Sequence, residues 1–117
     1  MGRKTWDSLP VKPLPNRRNI VLSSKNIAEV ETYNSVDACL KILTEDGVND
    51  IFVIGGTGVY EQFFSKAAVL HITMVNELVA GIDTYFPFNM TTIKKQFKLT
   101  IVEKKGNSAK YTKWEKF

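Results

Sequence analysis

The chain has little sulfur chemistry and little histidine: one cysteine, Cys39, and one histidine, His71, among 117 residues. A single cysteine excludes an intrachain disulfide and fits a reducing compartment. One histidine and one cysteine make no convincing metal set, and no Ser-His-Asp arrangement can be supported. No apolar run approaches the length of a membrane span, and no charged leader followed by an apolar stretch opens the chain. These absences point to a soluble, cytoplasmic protein without a membrane partner. Charge of one sign does not dominate either. Sixteen Lys and Arg face twelve acids, a net +4. The densest basic clusters are the pairs Arg17-Arg18, Lys94-Lys95 and Lys104-Lys105, too short for a nucleic-acid footprint but sufficient for a small anionic ligand.

What is present is an ordinary globular composition. Apolar residues make up 44% and charged residues 24%, enough for one domain with a packed core. Residues 1–117 are therefore read as a single domain. Gly2 to Leu9 reads as a short helix ended by Pro10, and Val11 to Arg18, with Pro13 and Pro15, as a loop. Asn19 to Ser24 is a strand and Glu29 to Tyr33 a weaker one. Ser35 caps a helix whose apolar face carries Val36, Cys39, Leu40 and Leu43, and Gly47 stops it. Ile51 to Ile54 is wholly apolar, the pattern of a strand buried on both faces. A helix resumes from Gly58 to Lys66. Val69 to Val75 is a strand, Gly81 to Pro87 a loop, and Phe97 to Glu103 and Lys110 to Trp114 form a last hairpin around Gly106-Asn107. The predicted class is α/β, a mainly parallel sheet with flanking helices and an antiparallel C-terminal hairpin. A strand normally opens such a sheet, yet a helix comes first here, so one sheet position is expected to be unfilled and to invite association.

Three segments could hold phosphate. In IFVIGGTGVY, Ile51 to Tyr60, a buried strand runs through a glycine pair into a helix. Glycines let a ligand approach the backbone, and the helix start offers unpaired N–H groups. The pattern is neither a Walker loop nor a full GxGxxG, and a tight turn without a ligand would read the same. Gly2-Arg3-Lys4-Thr5 places glycine, cations and a hydroxyl at another helix start. Ser23-Ser24-Lys25 ends a strand, where α/β proteins bind ligands. Together they favour a phosphorylated nucleotide. His71 shares a strand face with Thr73 and reads as structural, Cys39 as a buried thiol, and Asp83 as a turn-former.

MGRKTWDSLP, KPLPNRRNIVLS, FVIGGTGVYEQFF and DTYFP resemble, in order and at plausible spacing, the signature segments of the dihydrofolate reductase family. The resemblance covers essentially the whole chain. It implies NADPH as cofactor, dihydrofolate as substrate and a place in tetrahydrofolate biosynthesis and one-carbon metabolism. By this match Gly2, Arg3, Lys4 and Thr5 would bind the cofactor's phosphates, with Arg3 near the ribose phosphate. Leu22, Ser23, Ser24 and Lys25 would lie on the adenosine side. Ile54, Gly55, Gly56, Thr57, Gly58, Val59, Tyr60 and Gln62 would hold the diphosphate and border the nicotinamide, with a cis peptide bond at Gly55-Gly56. On the substrate side Arg17 would pair with the folate tail carboxylate, and Ser8, Leu14, Ile54 and Tyr60 would line the rest. Thr73 matches the threonine that supports the catalytic acid. Asn16 stands where many members have glycine, and asparagine tolerates a left-handed turn. The family's N-terminal strand, mobile loop and acidic helix have no match among these residues. The resemblance therefore implies a part that begins after the catalytic carboxylate, inactive alone, with an N-terminal complementing segment as a possible partner. A non-catalytic NADP(H)-binding module is the other reading. Related reductases of riboflavin synthesis share the Gly-Gly turn, but KPLPNRRNIVLS argues for folate.

Overall fold

In a computed structural model of the chain, residues 1–75 and 88–117 are described. The expected Gly81–Pro87 loop, with Asp83 and the DTYFP segment, lies outside the described residues. The chain divides into two compact units, Met1–Phe64 and Ser65–Phe117. Both parallel and antiparallel sheet are present, as the α/β reading expected.

In the first unit, helix α1 (Arg3–Ser8) leads through the proline-containing loop to strand β1 (Ile20–Leu22). Strand β2 (Glu31–Tyr33) pairs with it in parallel, Ile20 opposite Glu31 and Leu22 opposite Tyr33. Helix α2 (Val36–Glu45) starts where Ser35 Oγ accepts the Ala38 amide at 3.1 Å, and Asp37 adds a favourable charge to its first turn. It buries Val36, Cys39 and Leu43, one stripe at helical spacing. Gly47, at φ +73°, follows its end, as a left-handed glycine commonly does. Helix α3 (Thr57–Phe63) runs on into a 3₁₀ turn at Phe64–Lys66. Trp6, Val21, Val59 and Phe64 complete this unit's buried side chains.

One expectation fails here. Ile51–Ile54 forms no strand, and Phe52 is 77% exposed, with Ile51 and Ile54 also on the surface. An apolar run supplies the tendency to be buried, but a strand exists only through a neighbour's ladder. Next to this run Gly55 O accepts the Gly2 amide at 2.8 Å.

The second unit is an antiparallel sheet in the order β3-β5-β4, with β3 (Val69–Val75), β4 (Phe97–Lys105) and β5 (Ala109–Lys116). The register shifts between Leu99 and Ile101, an irregularity in the β4 edge. Helix α4 (Met90–Gln96), which the sequence reading did not foresee, packs beside β4 and buries Ile93. Asn89 caps it, its Oδ1 accepting the Thr92 amide at 2.9 Å. Leu70, Phe97, Thr112 and Trp114 are buried with it. Among the described residues no helix is long and apolar enough to cross a membrane.

Candidate functional site

The three phosphate-compatible ends meet in the first unit. Gly2 is the residue before α1, and Gly56 the residue before α3. The Gly2 amide donates to Gly55 O at 2.8 Å, and the Leu22 amide donates to Met1 O at 2.8 Å. The Met1–Gly2 segment thus joins the glycine turn on one side and the end of β1 on the other. Packing there is close: a Cβ at Gly2 would lie 3.3 Å from Val59 Cγ2 and 3.8 Å from Gly56 N.

The Gly55-Gly56 peptide bond is cis, and Gly55 has φ +113°, a region side-chain-bearing residues rarely adopt. A Cβ at Gly55 would meet the Tyr60 ring, 3.3 Å from Cε2 and 3.4 Å from Cζ and Oη. Tyr60 is half-buried, and burial pushes its phenol above the ordinary value of 10.0, so it stays protonated at neutral pH. At Gly58 an added Cβ would meet nothing within 4 Å, and no side chain caps α3. The first turn of α3 is therefore open in front of Gly58. Gln62 does not face that opening with its amide, which donates to Gly58 O at 3.2 Å within the helix. Arg3 and Lys4 stand exposed on α1, and Arg3 has a loose 3.7 Å pairing with Asp7. Beyond β1, Ser23 Oγ accepts the Lys25 amide at 3.2 Å and fixes the turn that carries Ser24 and Lys25.

A cavity of about 220 Å³ opens next to this junction. Leu14, Arg17 and Ile54 line it together with Leu22, Phe52 and Leu43. Its wall is apolar except for Arg17, Arg18, Asn19 and Asp50. Arg17 Nε donates to Pro15 O at 3.0 Å. Asn16 takes φ +59°, the left-handed turn expected of it.

The family model for dihydrofolate reductase matches residues 1–116. A dihydrofolate reductase of Neisseria meningitidis serogroup A is 42% identical over 113 residues, 92% of this chain and 68% of that protein. The serogroup B protein is 46% identical over 90 residues, 74% of this chain and 54% of that protein. A dihydrofolate reductase of Staphylococcus aureus is 38% identical over 87 residues, 74% and 52% respectively. The chain belongs to the dihydrofolate reductase family. It spans between about half and two thirds of the length of these relatives.

Within this dihydrofolate reductase family chain, the residues expected at the ligand sites are only partly brought together. Gly2, Leu22 and Gly55 meet at the junction, with Arg3, Lys4 and Thr5 following Gly2 on α1, Ser23 following β1, and Thr57 to Tyr60 following Gly56 on α3; Leu14, Arg17 and Ile54 line the cavity. Ser8 is tied to its own helix, its hydroxyl donating to Thr5 O at 2.8 Å. Thr73 belongs to the second unit, where it is exposed on β3 opposite Tyr111. Its neighbour His71 stacks on Tyr111 and shares a 2.6 Å hydrogen bond with it. Cys39 is buried, and burial raises its thiol above the ordinary 9.0, which makes it a poor nucleophile.

Sequence reasoning missed the network that anchors the second arginine. Arg18 grips Glu31 with both hands, Nε and Nη2 at 2.7 Å, and reaches Asp46 with Nη1 at 2.8 Å. Tyr33 also donates its hydroxyl to Glu31. The Arg18 bond holds the Glu31 carboxyl below its ordinary value of 4.5. A depressed carboxyl stabilises the fold above its unfolded value and loses that contribution as pH falls through the folded value. The thermal midpoint should be flat above about pH 5 and drop below pH 4.5. Because the pair is near the surface, the part owed to Glu31 should be only about 1–3 °C, and Glu31→Gln should remove it. Melting curves of the two proteins between pH 3 and 7 check this.

Proposed function

We propose that these residues form the NADPH-binding and substrate-tail-binding part of an enzyme that reduces 7,8-dihydrofolate to 5,6,7,8-tetrahydrofolate. The observation that carries the reading is the junction at which the starts of α1 and α3 meet the end of β1 around Gly2 and Gly55. The open space at Gly58, the uncapped start of α3 and the exposed cations Arg3 and Lys4 suit a nucleotide carrying several phosphates.

Bound there, NADPH supplies the hydride. Arg3, Lys4 and Thr5 hold its phosphates, and Leu22, Ser23, Ser24 and Lys25 take the adenosine side. Gly55, Gly56, Thr57, Gly58 and Val59 admit the diphosphate, with Gln62 behind them. Tyr60 and Ile54 border the reacting rings. Ser8 and Leu14 face the substrate, Arg17 binds its tail carboxylate with its guanidinium fork, and Thr73 supports the acid. That acid, which promotes protonation of the pterin, is not among these residues. By the family resemblance it sits on an N-terminal segment, which the test below adds. The work belongs in one-carbon metabolism in the cytoplasm.

The test is NADPH absorbance with dihydrofolate present, for the chain alone and with a synthetic N-terminal segment of the family. Binding of NADPH by the chain alone, and hydride transfer only after the segment is added, is the expected result. Turnover by the chain alone would show that another group replaces the acid. NADPH binding without turnover in either case favours the alternative, a non-catalytic NADP(H)-binding module. A folded chain that ignores NADPH would remove both readings.

A further inference from the structure

We propose that Asn19 is a positioning residue for Arg17, setting the guanidinium for a carboxylate-bearing ligand; this rests on the reading of Arg17 given above. The loop from Pro13 to Arg18 belongs to no helix or strand, so its backbone has no ladder to fix it. The Asn19 side chain takes that place. Its Oδ1 accepts the Leu14 amide at 2.9 Å, and its Nδ2 donates to Leu14 O at 3.0 Å and Arg17 O at 2.9 Å. Two residues that line the cavity, Leu14 and Arg17, are thereby pinned to the start of β1.

The neighbouring contacts explain why the pinning falls on Arg17. Arg18 is already engaged by Glu31 and Asp46. Arg17 uses Nε on Pro15 O, and among the described residues its two terminal nitrogens have no ion-pair or hydrogen-bond partner. Those nitrogens are donors on one edge of a planar group, able to hold a carboxylate at two points. Such recognition depends on where the arginine backbone stands, and Asn19 holds the Arg17 carbonyl directly. Alanine at this position would release all three loop groups. Serine is too short to satisfy them together.

The probes are dihydrofolate and its diamide, in which both tail carboxylates are neutral amides. Binding to the 117-residue chain and its variants is read by tryptophan fluorescence, with NADPH affinity measured alongside. The wild-type chain should prefer the acid. Arg17→Ala should lower that preference by about 10- to 100-fold, the range of a charge-assisted hydrogen bond. Asn19→Ala should lower it about tenfold while NADPH affinity holds, and adding it to Arg17→Ala should lower it no further. Asn19→Ser, a milder change, should show the same direction in a folded chain. Asn19 variants that keep the wild-type preference, or that weaken NADPH, acid and diamide alike, overturn the positioning role. A wild-type chain without the preference, or an Arg17→Ala chain that keeps it, overturns the tail site itself and the inference with it.

Discussion

Gly55→Ala is expected to destabilise the chain by about 1–3 kcal/mol and to abolish NADPH binding. Two separate causes act at this position. At φ +113° an L side chain is strained whatever surrounds it, which is worth about 1–3 kcal/mol. The new methyl would also press on the Tyr60 ring at 3.3 Å from Cε2. The ring cannot retreat freely, because Tyr60 is half-buried and its amide is held by Gly56 O at 2.9 Å. Displacing either residue moves the turn that joins Gly2 to α3, and with it the proposed diphosphate seat. Two comparisons separate the causes. Gly47→Ala has the same kind of left-handed strain, φ +73°, but nothing within 4 Å; it should lower stability by about 1 kcal/mol and leave NADPH affinity alone. Gly58→Ala has neither problem, and alanine favours a helix over glycine by about 1 kcal/mol. It should hold or raise stability, so any affinity it loses reports the ligand's closeness to the backbone. Urea unfolding and NADPH titration of the three variants give the comparison. A Gly55→Ala chain as stable and as tight for NADPH as wild type would remove the glycine turn from the proposed site.

Sequence pattern located the individual ends of this site but not their junction. Each end has a local signature: glycine with cations before a helix, a strand closing on Ser-Ser-Lys, and a glycine pair between an apolar run and a helix. The Gly2-to-Gly55 hydrogen bond that joins them is made by backbone groups 53 residues apart, and backbone groups leave no trace in residue identity. Arg18 is joined through side chains, but its partners lie on β2 and beyond the end of α2, too far along the chain for spacing to pair them. Asn19 reads as a strand residue in the sequence, and its three loop contacts emerge only with the fold. Helix α4 escaped for a different reason. Met90–Gln96 buries only Ile93, so it has no apolar stripe to find, and its signals were confined to its ends, the Asn89 cap and the Lys94-Lys95 pair in its last turn. Ile51–Ile54 erred the other way. Its composition is that of a central strand, but ladder formation depends on neighbours that its own letters cannot specify.

The second large effect lies in the other unit, where Trp114→Ala should destabilise by about 3–5 kcal/mol. Trp114 stands on the central strand β5, between Leu70 of β3 and Leu99 of β4, and is 4% exposed. Its indole N–H donates to Thr112 Oγ1 at 2.9 Å, and that hydroxyl donates to Ile72 O at 2.7 Å. Thr112 is 1% exposed, so its hydroxyl has the indole and Ile72 O as partners and each group depends on the next. Thr112→Val conserves shape but strands the indole N–H, a loss of about 1–3 kcal/mol. Trp114→Phe removes the donor instead and leaves Thr112 bonded to Ile72, so it should be milder than Thr112→Val combined with an intact indole would suggest. In the double variant no orphaned donor remains, and its destabilisation should fall short of the sum of the singles by about 1 kcal/mol. The measurement is urea unfolding followed by far-UV circular dichroism. Trp114→Phe also leaves Trp6, in the Met1–Phe64 unit, as the one remaining tryptophan of the two in the chain. Its fluorescence then reports that unit alone, and strictly additive single and double variants would show that the Trp114–Thr112–Ile72 chain acts as separate contacts.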